Sequence, residues 1–123
     1  MESQVRYLGE TQLLKGILEG CILAIIGRGE TYGYGILIKL QEYSFTDVQD
    51  GTLYPILTRL ERKEYISCRL GDSPMGPKRK YYSITMAGRE YLSNFKERYQ
   101  LITEQANRIL FEGRGDVEDE NNK

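Results

Sequence analysis

Apolar residues recur along this chain with two different periods, and the change of period divides it into helices and a hairpin. Before Glu64 they return every three or four residues, which is the spacing of one face of an α-helix. From Ile66 to Ile84 they alternate with polar residues, which is the pattern of half-buried strands. After Thr85 the helical spacing resumes and continues to about Phe111. The pattern therefore predicts helices, then a β-hairpin, then a long final helix.

Two helices are predicted at the start of this order. Thr11 is a suitable N-cap for the first, whose wide apolar stripe indicates burial on more than one side and which ends at a Gly-Arg-Gly triplet. Thr31 is expected to cap the second, which runs to about Tyr43 and carries Gly33 and Gly35 near its start. Two glycines there favour the close approach of a neighbour, which is either another helix or a DNA backbone.

The third predicted helix, from Asp50 to Lys63, has one apolar and one polar face. Its apolar positions recur at spacings of three and four residues: Leu53, Ile56, Leu57 and Leu60. If Thr52 is the N-cap, Pro55 sits at the third helical position, where no intrahelical hydrogen bond is lost, and Thr52 and Tyr54 point outward. A helix that enters a DNA groove is usually read near its N-terminus. An ordinary amphipathic surface helix is the alternative interpretation.

The hairpin after the third helix brings three consecutive cations to one edge. Apolar residues alternate from Ile66 to Leu70, and the segment Gly71–Pro77 is dense in turn-forming residues. Lys78, Arg79 and Lys80 then lead into a second β-prone run. Three helices followed by a hairpin is the order of a winged helix-turn-helix. We therefore expect the hairpin to be a wing that carries its cations to the phosphates flanking a groove.

The final helix, which Thr85 is expected to cap, runs to about Phe111 and is predicted to be about 40 Å long. A narrow seam with heptad spacing runs along it: Leu92, Phe95, Tyr99, Ile102, Ala106 and Ile109. A seam on so long a helix needs a partner surface, and a short domain has little core left to cover it. The seam thus favours a homodimer, the alternative being a helix that folds back on its own domain.

Charge is distributed unevenly although the 123 residues carry a net charge of only −1. Cations outnumber anions between Ile56 and Lys80, in the third helix and the hairpin: Arg59, Arg62, Lys63, Arg69, Lys78, Arg79 and Lys80. A local basic patch indicates a nucleic-acid partner, with a solvated charged face as the alternative. The tail from Gly113 is acidic and polar, and it is predicted to be disordered.

Several classes of function are disfavoured by what the sequence lacks. There is no histidine, which is the commonest general base and metal ligand, and two distant cysteines do not make a structural zinc site. No nucleophile motif and no phosphate-binding glycine loop is present. We therefore predict neither an enzyme nor a cofactor. The apolar runs fall far short of the about 20 residues of a membrane span, and the N-terminus does not resemble a signal peptide, so we expect a cytoplasmic protein.

Three segments of this sequence resemble motifs of one family. The stretch Asp50–Glu61 (DGTLYPILTRLE) resembles the recognition-helix signature of the PadR-type transcriptional regulators. The stretch Thr31–Ile36 (TYGYGI) is similar to their second-helix motif, and Tyr81–Gly88 (YYSITMAG) to their strand-to-helix junction. The motifs keep the family's order and spacing over roughly residues 11–110. Gly35, where the family often has an acidic residue, and Glu64, where the third helix commonly ends with a glycine, depart from the pattern.

The resemblance implies a mainly α fold with a small β-hairpin, namely a winged helix-turn-helix plus a long C-terminal dimerisation helix of the short subfamily. The expected organisation is an N-terminal arm (1–10), a DNA-binding domain (11–84), a dimerisation helix (85–112) and an acidic tail (113–123). The implied function is that of a homodimeric repressor at a pseudo-palindromic operator. The residues expected to contact DNA are Thr52, Tyr54, Thr58, Arg59, Lys63, Lys78, Arg79, Lys80, Tyr32 and Tyr34.

Two questions remain open at the level of sequence. Some family members respond to phenolic acids or drugs, and Phe95 and Tyr99 on the seam are the candidates to stack on a small aromatic effector, with core packing as the alternative. The whole chain could also be a protein–protein adaptor that keeps the winged-helix scaffold and docks through its long helix, because fold does not fix function.

Overall fold

A computed structural model of this protein describes residues 11–112. The elements follow in the order α1 (Gln12–Gly27), β1 (Thr31–Tyr32), α2 (Gly33–Glu42), α3 (Asp50–Arg62), β2 (Ile66–Ser73), β3 (Gly76–Ile84) and α4 (Met86–Leu110). The three strands form an antiparallel sheet in the order β1-β3-β2. The predicted class, mainly helical with a small hairpin and a long final helix, is confirmed. The expected arm at residues 1–10 and the acidic tail at 113–123 lie outside the described residues.

The described chain divides into two compact units, residues 11–92 and residues 93–112. Tyr91 and Leu92 pack against the core of the first unit, so that unit includes the first turns of α4. None of the described helices is long and apolar enough to span a membrane.

The core of the first unit is aliphatic and draws on the three helices and the sheet. Its fully buried side chains are Leu18, Ile22, Leu23, Ile26, Ile36, Leu40, Leu53, Leu57, Leu60 and Ile66. Burying one such side chain contributes about 1.5–3 kcal/mol relative to leaving it in water. The apolar face predicted for α3 is the face that packs here, so the polar face of α3 is turned toward solvent.

Two of the predicted helix caps are confirmed by their hydrogen bonds. The Thr11 hydroxyl accepts from the Leu14 backbone N–H at 3.1 Å, at the start of α1. The Thr85 hydroxyl accepts from the Gly88 N–H at 2.9 Å and donates to the Glu64 carbonyl oxygen at 2.7 Å. The second cap therefore also ties α4 to the chain between α3 and β2.

The expected cap of the second helix is wrong. Thr31 belongs to β1, where it pairs with Tyr82, and Tyr32 pairs with Tyr81. Tyr32 occupies the N-cap position of α2 and its side chain makes no capping bond. The reason is that pairing with β3 holds this segment extended until Gly33. The partner strand is distant in sequence, so helical spacing alone does not reveal it.

The third helix starts at Asp50 as expected, but the N-cap considered for it, Thr52, is wrong. α3 begins at Asp50, and the Gln49 carbonyl accepts from the N–H groups of Thr52 and Leu53, both at 2.9 Å. Thr52 is therefore inside the helix rather than at its cap, and it is buried, with 5% of its surface exposed. Pro55 lies in the helix interior, where its ring lacks the N–H that would reach the Gly51 carbonyl. An acidic residue in the first turn favours this earlier start, because a carboxylate complements the helix dipole.

The hairpin is longer than its turn-forming residues suggested. β2 runs to Ser73 and β3 starts at Gly76, which leaves Pro74 and Met75 in the turn. Gly76 has a φ of 129°, a conformation that glycine adopts without a steric penalty. The register shifts between Gly71 and Ser73, so the outer part of the hairpin is irregular.

The end of α3 places a non-glycine residue in the left-handed region. Glu64 has a φ of 64°, and its N–H donates to the Glu61 carbonyl at 2.9 Å. The next N–H, of Tyr65, reaches back to the Leu60 carbonyl at 3.0 Å. This is a helix-terminating turn of the kind that usually carries glycine after the cap. The departure from the family pattern at Glu64 therefore leaves a strained backbone position.

Gly33 allows α2 to approach α3 closely. A Cβ at Gly33 would overlap the Tyr54 hydroxyl and lie 2.8 Å from the Tyr54 Cζ, which is closer than such atoms pack. The sequence suggested either another helix or a DNA backbone as the close neighbour. At Gly33 the neighbour is another helix, α3, through its Tyr54 side chain. The contact also fixes where the Tyr54 ring can lie.

Replacing Glu64 with glycine should stabilise the protein. We expect the free energy of unfolding, measured with urea, to rise by about 0.5–1 kcal/mol, because glycine adopts this φ without the penalty of a Cβ. Glu64→Ala is the matched control, since it removes the same carboxylate and keeps the Cβ. An equal gain from both variants would assign the effect to the carboxylate instead of the backbone.

Replacing Gly33 with alanine should destabilise the protein by about 1–3 kcal/mol, because the new methyl group overlaps Tyr54. The cost should shrink when Tyr54→Phe removes the nearest atom, which a double-mutant cycle measures. Gly16→Ala is the control, since a Cβ there meets nothing within 4 Å. Strictly additive free energies for the Gly33 and Tyr54 changes would contradict the contact.

Candidate nucleic-acid interface

The solvent face of α3 presents polar side chains in one stripe. Tyr54, Thr58 and Arg62 are all exposed and follow one another at a spacing of four residues, which places them on one side of the helix. The opposite side is held in the core by leucines. Thr52, which sequence placed on this surface, is absent from it because it is buried. The stripe therefore begins at Tyr54.

Two further cations, Arg59 of α3 and Lys63 at its C-cap, are exposed. The Arg59 guanidinium forms an ion pair with the Glu19 carboxylate of α1. Glu19 also accepts from the Tyr91 hydroxyl of α4 at 2.9 Å. Burial and this hydrogen bond raise the pKa of Tyr91, so its phenol stays neutral. Glu19 thus links α1, α3 and the first turns of α4. Sequence reasoning missed Glu19, since its spacing gives no sign of partners so far along the chain.

A cleft of about 370 Å³ opens between the start of α2, the start of α3 and the hairpin. Its lining residues are Tyr32, Gly33, Tyr34, Tyr54, Ser73, Arg79, Lys80 and Tyr82. This cleft brings together residues from all three regions that sequence assigned to DNA contact. Its lining contains two cations and no carboxylate, and it is rich in hydroxyl groups. Such a lining suits ligands that are anionic or rich in hydrogen-bond acceptors.

Tyr82 closes the inner side of this cleft. It is buried in the core, and burial raises its pKa to about 12. Its phenol is therefore neutral at physiological pH and adds no negative charge to the cleft. The positive charge of Arg79 and Lys80 is consequently not offset by any residue that lines the cleft.

The three consecutive cations of β3 have different surroundings. Lys78 pairs with Asp72 at 2.9 Å, and both side chains are exposed. Lys80 is exposed, and it lies on the cleft. Arg79 is partly buried, and its guanidinium carbon lies 4.0 Å from the centre of the Tyr32 ring. The sequence identified the three as one basic run, whereas the structure gives each a separate environment.

A second arginine stabilises the outer face of the sheet. Arg69 lies over the Tyr81 ring at 4.8 Å and makes two hydrogen bonds to Glu30, at 2.7 and 2.8 Å. The guanidinium of Arg69 lowers the pKa of the Glu30 carboxyl and thereby keeps it ionised. The Tyr81 hydroxyl donates to the Asp72 carbonyl oxygen at 3.0 Å. Sequence reasoning did not single out Glu30, Arg69 or Tyr81 for these contacts.

The second unit carries the apolar seam. From Ser93 to Leu110 no residue of α4 is fully buried in the described structure. Phe95 and Tyr99 stack with their ring centres 6.4 Å apart, and Ile102 and Ile109 are exposed. Leu92, at the start of the seam, packs instead on the core of the first unit. The seam from Phe95 to Ile109 is thus an apolar surface on a solvated helix.

A family model and solved structures identify this arrangement. Residues 22–94 match the model described as the transcriptional regulator PadR-like family. A PadR-like transcriptional regulator from Bacillus cereus is 45% identical, with a TM-score of 0.71 over 81% of this chain and 97% of that one. A Streptococcus transcriptional regulator is 42% identical, with a TM-score of 0.72 over 81% of this chain and 98% of that one.

A curated relative from Lysinibacillus sphaericus, an uncharacterized protein named X, is 35% identical over 96 residues, which are 76% of this chain and 88% of that protein. The matched family and the solved structures are transcriptional regulators rather than enzymes. The winged helix-turn-helix expected from sequence is therefore confirmed, and the chain belongs to the PadR-like family of transcriptional regulators.

Proposed function

We propose that this protein is a cytoplasmic transcriptional repressor that binds a pseudo-palindromic operator as a homodimer. The observation that carries the proposal is the cleft beside α3, which combines Arg79, Lys80 and four tyrosines with no carboxylate. It adjoins Tyr54, the first member of the exposed stripe on α3. A polar helix face beside an electropositive, hydroxyl-rich cleft matches a DNA groove and its flanking phosphates.

In this proposal α3 enters the major groove with the N-terminal part of its polar stripe. Tyr54 and Thr58 are the residues nearest the base edges, and Arg62 continues the stripe toward the helix end. Hydroxyl groups donate to and accept from base edges and phosphates, so both residues can serve in either role. Thr52 supports α3 from within the packed domain and is not part of the proposed surface, because it is buried.

Phosphate contacts are assigned to the exposed groups around that stripe. Lys80 lies on the cleft, and Tyr34, 63% of whose surface is exposed, faces it from α2. Lys63 extends the cationic surface at the helix end. Lys78 lies on the hairpin, but Asp72 already neutralises its charge, so we expect it to contribute less than Lys80. Arg59 is exposed, but Glu19 already neutralises its charge, so we expect its phosphate contact to contribute less than that of Lys80.

The homodimer is proposed to form through the seam on α4. Apolar side chains at heptad spacing on a solvated helix favour burial against a second copy, since each side chain buried contributes roughly 1.5–3 kcal/mol. Phe95, Tyr99, Ile102, Ala106 and Ile109 would form its centre, with Leu92 at its edge. Phe95 and Tyr99 are the residues at which a small aromatic effector would stack and release the operator.

The adaptor remains the second candidate function, because the apolar seam alone would also suit a different protein partner. An adaptor has no use for an electropositive cleft beside an exposed helix. Salt-dependent binding to DNA upstream of the protein's own gene distinguishes the two. If the protein does not bind this DNA even at low salt, the adaptor is the better description of its function.

Lys80→Ala should weaken binding to every DNA sequence by a similar factor and reduce the slope of log K against log salt by about 1, because one phosphate contact is lost. Fluorescence anisotropy on a labelled duplex at several salt concentrations measures both quantities. Lys39→Ala is the control, since Lys39 pairs with Glu42 in the last turn of α2. An unchanged slope for Lys80→Ala would remove this residue from the interface.

Ile102→Lys should convert the dimer to a monomer, because it places a charge in the seam. Analytical ultracentrifugation gives the mass directly. Leu101→Lys is the matched control, since Leu101 is similarly exposed, 53% against 59%, but lies to the side of the seam. A dimer that survives Ile102→Lys, or that Leu101→Lys dissociates equally, would contradict the proposed interface.

A further inference from the structure

The three cations of β3 differ in the surroundings of their side chains. Lys78 and Lys80 are exposed, and Lys78 pairs with Asp72 across the hairpin. Lysine carries its charge on a flexible four-carbon stem. Arg79 is partly buried, with its guanidinium carbon 4.0 Å from the centre of the Tyr32 ring and 5.7 Å from that of Tyr81. These two rings limit the orientations that the guanidinium plane can take. Arg79 is therefore the cation of this run that the fold holds in place.

The Tyr32 and Tyr81 rings, which together form a clamp beside Arg79, are themselves held in place. Tyr32 and Tyr81 meet edge to face, with ring centres 5.8 Å apart, and their backbones pair across β1 and β3. Tyr81 is fixed on its other side by Arg69 and through its hydroxyl by the Asp72 carbonyl. Arg69 is held by Glu30 through two hydrogen bonds. The clamp therefore joins all three strands of the sheet.

One donor of Arg79 has no acceptor within residues 11–112, because its Nε is buried without a hydrogen-bond partner. A guanidinium carries five N–H donors in a planar fork, and leaving such donors unmet is unfavourable. Because Arg79 lines the cleft beside Tyr54, an acceptor that enters the cleft can accept from the outer nitrogens of this fork.

An arginine guanidinium that is held in one orientation and a lysine ammonium on a flexible stem suit different kinds of recognition. A phosphate accepts hydrogen bonds from many directions, so flexible lysines bind it without selecting a sequence. A planar fork in a fixed orientation matches one arrangement of base-edge acceptors, and a wrong base leaves its donors unpaired. Holding an arginine against the Tyr32 ring and beside Tyr81 therefore adds little to phosphate binding but makes base recognition selective.

We propose that Arg79 is the specificity-determining residue of the hairpin, donating to acceptor atoms on a base edge, while Lys78 and Lys80 contact phosphates. This inference rests on the proposed function, because it requires that the protein bind DNA. In this inference Arg79 selects the DNA sequence, whereas Lys78 and Lys80 contribute affinity for any sequence.

The test measures two quantities for each variant, namely its preference among duplexes that differ by one base pair and its overall affinity for DNA. The preferred duplex is first selected from a random library with the wild-type protein, and affinities are then measured for it and for each single-base-pair variant. Arg79→Lys keeps the charge and loses the fork. In this variant we expect the affinity ratio between the preferred and the substituted base pair to fall about tenfold at one position in each half-site. The affinity for unrelated DNA should change by no more than about twofold. Lys80→Ala should weaken binding to all duplexes alike.

Arg69→Ala separates base reading from rigidity of the hairpin. It removes the arginine on the far side of Tyr81 and the link to Glu30, but leaves Arg79 on the Tyr32 ring. Because the nearer ring, Tyr32, still holds Arg79, the preference at that base pair should fall less in Arg69→Ala than in Arg79→Lys. The inference fails if Arg79→Lys weakens all duplexes equally, or if Arg69→Ala costs as much of this preference as Arg79→Lys. A wild-type protein that binds no duplex at any salt concentration would refute the proposed function itself.

Discussion

β3 pairs along both of its edges, with β1 on one side and β2 on the other, and the arrangement of the cleft follows from this double pairing. The pairing with β1 fixes the segment before α2 against the hairpin, so Tyr32 meets Tyr81 and the guanidinium of Arg79. It also sets where α2 starts, since the extended backbone ends at Gly33. Gly33 in turn admits the Tyr54 ring of α3. One strand thereby positions the starts of two helices and the cations of the hairpin around a single cleft.

The electrostatic character of the cleft depends on burial and pairing more than on composition. The chain as a whole has a net charge of −1, yet the cleft contains two cations and no carboxylate. Three acidic residues close to the basic run are paired: Glu30 with Arg69, Asp72 with Lys78 and Glu19 with Arg59. Surface ion pairs contribute little to stability, typically about 0–1 kcal/mol. Their effect here is to determine which cations keep an uncompensated charge.

Glu19 connects α3 to the first turns of α4. Its carboxylate accepts from Arg59 of α3 and from Tyr91 of α4, and Tyr91 stacks on Tyr65 with ring centres 4.3 Å apart. A Cβ at Gly88 would overlap the Tyr65 carbonyl oxygen, so α4 begins in direct contact with the chain that follows α3. The first turns of α4 are therefore part of the packed domain, whereas the seam beyond them lies on a solvated helix.

The sequence by itself determined the order of the elements, the apolar face of α3, the caps at Thr11 and Thr85, and the family, because these depend on local spacing and on side chains that bond to their own helix. Tertiary structure decided what depends on distant partners. Thr31 was expected to cap a helix and instead pairs with β3, and Thr52 was expected at the surface and is buried. Helical periodicity could not show that Arg59 meets Glu19, or that Arg79 lies against the Tyr32 ring while Lys78 and Lys80 are exposed. The three consecutive cations look equivalent in the sequence, and only the pairing of the strands gives one of them aromatic neighbours.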